Sequence, residues 1–269
     1  MKPLKARYTI EVAFGMADAA SLQEGIHRLE AQDVGRIGVV RLFVSGESWF
    51  ERTEQILGLR PGAPPRAEPD AGGAGHAHHG AGHAHHGAGH AHHGGHSMEL
   101  FRVDSGASFA LTTEGLADAP EIGAVLADRA AALSKTPARE DVLILAHGPG
   151  DDAENERWLT KLDALAGAVR AQAPFRRVNV QTLREDWPEK RVEAEKRIRS
   201  FVERAGRDQG KAIVIPFRVQ GFGPYAEVLH GLDYVADQKG LIPHAAVSTW
   251  IERQIAALEA GSFRGPAAR

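Results

Sequence analysis

Between residues 140 and 260 the chain alternates short apolar runs with amphipathic segments, and this alternation restricts the fold more than any other feature of the sequence. These runs predict a buried strand at 141–146 and further strands at 178–183, 212–219 and 240–242. Apolar residues recur at helical spacing in the segments that separate or follow them, at 155–171, 191–205, 225–232 and around 250–258. Strands that alternate with helices predict βαβ units and a mostly parallel sheet, in which ligands bind beyond the carboxyl ends of the strands.

The first part of the chain repeats this pattern. The run 42–46 and the helical residues after it match the run 217–221 and its helix at a step of 175 residues. Gly115-Leu116 and the helical residues after them match Gly240-Leu241 at a step of 125. The difference between the two steps corresponds to an insertion and a predicted strand pair, 98–103 and 107–111. Two related flavodoxin-like α/β units with parallel sheets are therefore the predicted fold class.

The first copy is predicted to be incomplete. Residues 10–14 correspond to the strand 178–183, but nothing corresponds to the strand and helix of 141–171. In flavodoxin-like order that strand lies at the centre of the sheet, and we therefore expect the reading frame to continue upstream of Met1. The predicted organisation is a first half at 1–62 and 98–136, an insertion at 63–97, a second half at 137–260 and a flexible tail at 261–269.

The insertion differs sharply from the rest of the chain. The motif Gly-His-Ala-His-His-Gly-Ala recurs every seven residues, and large apolar side chains are almost absent, so we expect disorder. Imidazole suits cobalt, nickel, zinc and copper, and a flexible tract can bind several ions without fixed geometry. The alternative is a low-complexity expansion without function. The ten predicted metal-binding histidines of this tract are His76, His78, His79, His83, His85, His86, His90, His92, His93 and His96.

Composition excludes several classes of protein. Cysteine is absent, which removes disulfides, thiolate zinc sites and cysteine nucleophiles. A net charge of −3, from 32 basic and 35 acidic residues, argues against nucleic acid as a partner. No apolar run approaches the roughly 18 residues of a membrane span, and no secretory signal is recognisable, so cytoplasm is the expected location. A phosphate-cradling nucleotide motif is also lacking.

The strand 141–146 ends in Ala146-His147-Gly148-Pro149-Gly150. Together with the doubled unit and the histidine-rich tract, this motif resembles the class II chelatases, of the sirohydrochlorin cobaltochelatase/ferrochelatase type. The resemblance implies ATP-independent insertion of a divalent metal (cobalt, alternatively iron or nickel) into a sirohydrochlorin-like tetrapyrrole. It implies that His147 contacts the metal and the pyrrole nitrogens, with metal and tetrapyrrole as substrates and no nucleotide. The oligomeric state stays open, with a homodimer among the alternatives.

Histidine also suits this chemistry on physical grounds, because a neutral imidazole can ligate a divalent ion or accept a proton near neutral pH. Gly148 lets a flat macrocycle approach the backbone. Arg184 and Arg218 are expected to meet its carboxylates, although rim arginines are common without a ligand. The chain departs from the family in the loop after its third strand, which carries no histidine. Glu227 or Glu47 is the predicted substitute as oxygen ligand or proton acceptor, and the alternative role of a glutamate at a helix start is a favourable interaction with the helix dipole.

Two other functions compete with chelation. The first is a non-catalytic metal storage or delivery protein on a degenerate chelatase scaffold. The second is a nucleotide-dependent α/β enzyme, which leaves the histidine tract unexplained. Metallation of a tetrapyrrole separates chelation from storage, whereas metal binding alone does not.

Overall fold

A computed structural model describes residues 2–66 and 98–266. The ten histidines of the insertion lie outside the described residues. Two compact units are formed. Unit 1 comprises Met1–Gly38, Trp49–Ala110 and Ser262–Arg269, and unit 2 comprises Val39–Ser48 and Leu111–Gly261.

Strands and helices alternate through residues 140–260, as the sequence predicts. The helices are α1 (Lys2–Lys5), α2 (Ala19–Glu30), α3 (Phe50–Ile56), α4 (Pro120–Leu133), α5 (Asp152–Gln172), α6 (Pro188–Arg207), α7 (Tyr225–Val228) and α8 (Ala245–Ala260). The strands are β1 (Arg36–Val39), β2 (Ser108–Leu111), β3 (Glu140–Ala146), β4 (Arg177–Thr182), β5 (Lys211–Phe217) and β6 (Tyr234–Val235).

Unit 2 contains a four-stranded parallel sheet in the order β4-β3-β5-β6. This is the flavodoxin-like order, in which the first strand of the unit lies between the second and the third. Every residue of β3 is buried, as expected for a central strand covered on both faces. On α6, buried Ala194, Ile198, Val202 and Ala205 recur at helical spacing and pack in the core cluster that contains Leu143. The predicted α/β fold class is therefore confirmed.

In unit 1, hydrogen bonds hold the segment after the insertion against the start of α2. The side chain of Asp18 accepts hydrogen bonds from Ser21 N at 2.8 Å, which caps α2, and from Glu99 N at 3.0 Å. Arg52 donates to the carbonyls of Ala17, Met98 and Glu99 at 2.8–2.9 Å. The backbone N–H of Arg102 donates to Pro64 O at 2.7 Å, so the two described flanks of the insertion lie side by side.

The internal repeat is present at the level of single hydrogen bonds. In the first copy Leu116 N donates to Phe43 O at 2.9 Å, and in the second Leu241 N donates to Arg218 O at 2.7 Å. These pairs are related by the steps of 125 and 175 found in the sequence. Helices α3 and α7 begin 175 residues apart, and α4 and α8 begin 125 apart. The two copies therefore share local geometry as well as sequence pattern.

Three predicted strands are wrong. Residues 10–14 and 240–242 are irregular, and in 98–103 only Arg102 forms a bridge, to Pro65. A strand needs a neighbour for its backbone groups, and in the described residues the first copy has no counterpart of β3 beside which 10–14 could pair. Residues 241 and 242 each donate one backbone hydrogen bond to the segment just after β5. The fourth strand of the sheet is instead the short strand β6, which pairs with β5.

The compact units divide the chain differently from the predicted halves. Residues 39–48 and 111–136, assigned by similarity to the first half, belong to unit 2 by contact. The predicted halves are defined by similarity between two parts of the sequence, whereas the compact units are defined by contacts in space. The two halves therefore stay a prediction.

Candidate functional site

The chain segments that follow three neighbouring strands meet at the carboxyl edge of the unit 2 sheet. Ala146, the last residue of β3, is in register with Thr182 of β4 and with Phe217 of β5. His147 and Arg218 therefore emerge on the same edge, as do residues 183–187 after β4. This is the edge where parallel α/β sheets bind ligands.

The turn after β3 is packed tightly against the turn after β4. Arg184 N donates to His147 O at 2.7 Å, which continues the pairing of the two chain segments beyond their strands. Gly148 has a φ of +81°, and a Cβ at this position would lie 2.6 Å from the Cβ of Thr182. Only glycine fits there without a shift of the strand end. The backbone at His147 is thus fixed from both sides.

Both ring nitrogens of His147 face hydrogen-bond acceptors. Nδ1 lies 2.6 Å from the carbonyl oxygen of Gly148, and Nε2 lies 2.7 Å from Oδ2 of Asp186. Since neither partner carries a proton when Asp186 is ionised, the imidazolium satisfies both contacts. A second carboxylate, Oε1 of Glu185, lies 3.6 Å from Nε2. The site therefore combines one imidazole with two acidic side chains.

Glu185 has its own counter-ion. Nη1 of Arg218 lies 2.9 and 3.0 Å from the two carboxylate oxygens of Glu185. The guanidinium of Arg218 lies 5.8 Å from the centre of the Tyr225 ring, which is fully buried. Burial raises the pKa of the Tyr225 hydroxyl above its usual value, so this residue stays neutral. Asp186 is the more exposed of the two carboxylates, at 31% against 13% for Glu185.

Trp187 forms one wall of the site. Its ring meets that of His147 edge to face, with 6.0 Å between ring centres. The indole also packs on Gly150, where a Cβ would lie 2.3 Å from the ring. The indole of Trp187 thus fills the space beside Gly150, the second glycine of the His147-Gly148-Pro149-Gly150 turn.

The predicted arginines are engaged within the protein. Arg184 is buried and donates to the carbonyls of Pro149 and Gly150 and to Asp152, so its guanidinium holds the turn in place. The guanidinium of Arg218 faces Glu185. Glu227 lies exposed in the single turn of α7, and His244 caps α8 by accepting from Ala246 N at 3.1 Å.

Sequence reasoning missed Glu185, Asp186 and Trp187. A signal was present, because the three residues follow the strand 178–183 almost directly and strand ends meet at one edge of a parallel sheet.

Across residues 2–66 and 98–266 no group of three or more histidine or acidic side chains is arranged to hold a metal ion. In the same part of the chain, no helix combines the length and the apolar character of a membrane span.

The environment of His147 predicts a pH dependence. Burial opposes protonation, but the hydrogen bond to Asp186 and the charges of Glu185 and Asp186 outweigh it and raise the pKa of His147 above its usual 6.5. Because the folded pKa exceeds the unfolded one, this contribution to stability is complete below about pH 6.5 and is lost as the pH rises through the folded pKa. NMR titration of the ring measures that pKa. Asp186→Asn should lower it, and an unchanged value would contradict the assigned contact.

The fold and this site define an α/β protein of flavodoxin-like architecture with a histidine–carboxylate pair at the carboxyl edge of its sheet. Its structure is similar to that of SirB from Bacillus subtilis with Fe3+, with a TM-score of 0.56 and 13% sequence identity over 98% of this chain and 89% of that one. A multi-domain protein from Deinococcus radiodurans, reported to resemble chelatases, gives a TM-score of 0.44 and 19% identity over 92% of this chain and 52% of that one. No protein-family model and no curated protein matches the sequence. At this identity the likeness to SirB shows a common fold.

Proposed function

We propose that the unit 2 site inserts a divalent metal ion into a sirohydrochlorin-like tetrapyrrole without using a nucleotide. One observation carries the proposal: Nε2 of His147 faces Oδ2 of Asp186 at 2.7 Å, while Nδ1 is held by the carbonyl of Gly148. This arrangement presents a nitrogen and an oxygen donor side by side at the ligand-binding edge. The sequence resemblance to class II chelatases and the fold shared with SirB support the same reading.

The proposed mechanism begins with the proton shared by Nε2 of His147 and Oδ2 of Asp186. When it leaves, Nδ1–H still donates to Gly148 O, and the lone pair of Nε2 becomes free to bind a metal ion. Metal bonds to imidazole nitrogen and carboxylate oxygen are about 2.0–2.2 Å long, so an ion can replace the proton if the two side chains move apart slightly. His147 and Asp186 are thus the proposed metal donors.

Proton balance links ion transfer to recovery of the site. As the ion passes to the four pyrrole nitrogens, two protons leave the ring. One returns to the position between Nε2 of His147 and Asp186, and the other passes to solvent, to which Asp186 is partly exposed. The site is then restored to its starting state. Among the described residues Glu227 has no side-chain contact that supports a role in these steps, and its role stays a prediction.

The proposal is tested with the purified chain, sirohydrochlorin and one metal at a time: Co²⁺ first, then Ni²⁺ and, without oxygen, Fe²⁺. The absorption spectrum of the macrocycle reports metallation, and the rate is compared with that of an equal mixture without protein. Acceleration by the chain supports chelation. Tight metal binding without acceleration for any of the three ions would instead support storage or delivery, which the ten histidines of the insertion favour.

We further propose that the histidine-rich tract collects metal ions and that chemistry does not require it. Deletion of residues 72–96 should lower the number of ions bound per chain and slow metallation only when metal is scarce. At saturating metal the turnover should be unchanged, because His147 and Asp186 lie outside the tract. Metal titration and metallation rates at low and high Co²⁺ measure this. A large loss of turnover at saturating Co²⁺ would show that the tract takes part in insertion.

A further inference from the structure

We propose that Arg218 is a positioning residue that keeps Glu185 from becoming a third metal ligand. The inference rests on the proposed function, since it concerns how firmly the unit 2 site holds the ion that it must give up. A site in which one imidazole and two carboxylates all turn toward a divalent ion would retain that ion. By engaging Glu185, Arg218 leaves His147 and Asp186 as donors and favours release of the ion to the macrocycle.

The first support is the geometry of the Arg218–Glu185 pair. One nitrogen, Nη1, lies within 3.0 Å of both carboxylate oxygens, so both oxygens point toward the guanidinium. Oε1 nevertheless stays 3.6 Å from Nε2 of His147. Glu185 is therefore near enough to reach an ion bound at Nε2 by a small rotation, and the ion pair with Arg218 opposes that rotation.

The second support is the confinement of the Arg218 side chain. Gly223 lies against it so closely that a Cβ at that position would be 2.7 Å from Nε of Arg218. The buried ring of Tyr225 lies near the guanidinium, and the backbone carbonyl of Arg218 accepts from Leu241 N at 2.7 Å. An arginine held at its backbone and along its side chain loses little further entropy when it pairs with Glu185.

Charge gives the third support. His147 is approached by two carboxylates, and a divalent ion would neutralise both. Arg218 offsets one negative charge, so Glu185, Asp186 and Arg218 together present a net charge of about −1 to an ion bound at unprotonated His147. Both the number of ligands and the local charge therefore favour transient binding.

The test is the metal affinity and turnover of Arg218→Met in the full chain. Co²⁺ binding at the site is followed through quenching of tryptophan fluorescence, because Trp187 lies 6.0 Å from the His147 ring. The His147→Ala chain serves as the blank for ions bound elsewhere. Partners that orient metal ligands typically change affinity or activity by about 10–100-fold. We expect Arg218→Met to bind Co²⁺ at least about tenfold more tightly and to metallate sirohydrochlorin more slowly by a similar factor.

Two further variants isolate Glu185. Adding Glu185→Gln to Arg218→Met should return the Kd for Co²⁺ to near the wild-type value, and Arg218→Lys should behave much like wild type. Glu185→Gln alone removes a negative charge but no ligand, so at high salt, which screens the lost charge, the Kd for Co²⁺ should stay within about threefold of the wild-type value. If Arg218→Met does not fold, Glu185→Gln still decides: a tenfold loss of Co²⁺ affinity that persists at high salt would show Glu185 to be a ligand already and overturn the proposal.

Other outcomes separate the alternatives. Weaker Co²⁺ binding in Arg218→Met overturns the proposal. A raised KM for sirohydrochlorin with an unchanged Kd for Co²⁺ also overturns it, because Arg218 would then bind the macrocycle. If no tetrapyrrole is metallated by the wild type but the Co²⁺ affinities change as expected, the proposed chelation fails while the role of Arg218 stands.

Discussion

His147→Ala is expected to lower the rate of metal insertion by at least about 10²-fold, the lower limit for loss of a positioned proton-transfer group. The substitution removes the nitrogen donor and, with it, one of the two atoms between which the returning proton is held. Asp186 alone would offer a single carboxylate to the ion. The rate of sirohydrochlorin metallation at saturating Co²⁺ measures the effect.

The same variant should remain folded. The His147 side chain is 30% exposed and lies beyond the end of β3, so it contributes little to the core. His230→Ala is the matched control, because His230 is exposed and lies outside the site, and its turnover should equal that of the wild type. Full activity of His147→Ala, with an unchanged melting temperature, would remove this residue from the mechanism.

Local patterns in the sequence were sufficient to predict the framework of the site. The apolar run 141–146 predicts a buried strand, and it begins one residue after β3 begins and ends at the same residue. A fully buried strand between helices requires neighbours on both sides, which gives the parallel sheet. Because ligands bind at the carboxyl edge of such a sheet, the same reasoning predicts His147 as a site residue, and this stays a prediction.

Features that depend on pairing across the chain could not be predicted in this way. Residues 10–14 have the composition of a strand but no neighbouring strand in the described structure, so their hydrogen-bond ladder does not form. Arg184 and Arg218 follow strands as expected, yet the sequence does not show which group each side chain meets. Arg184 contacts the carbonyls of the turn after β3, and Arg218 contacts Glu185. These contacts link residues more than 30 positions apart, beyond the range of any local pattern.

The contact shared by the two copies leads to the second large effect. In each copy a glycine packs against the backbone of one of the two matching runs, 42–46 in the first copy and 217–221 in the second. A Cβ on Gly115 would lie 2.4 Å from Gly46 N, and a Cβ on Gly240 would lie 2.6 Å from Arg218 O. Real Cβ atoms do not approach other atoms this closely, and the neighbours are backbone atoms that cannot rotate away. The two glycines are 125 residues apart, the step predicted from the sequence.

We therefore expect Gly115→Ala and Gly240→Ala each to lower the free energy of unfolding by about 3 kcal/mol, the upper part of the range for overpacking. Gly167→Ala is the control. Gly167 lies in α5 with no atom within 4 Å of the added Cβ, so alanine should raise stability by up to about 1 kcal/mol through its better helix propensity. Urea denaturation of the three variants measures these differences. A loss in only one of the first two variants would show that the copies, although similar in sequence, do not use this contact in the same way.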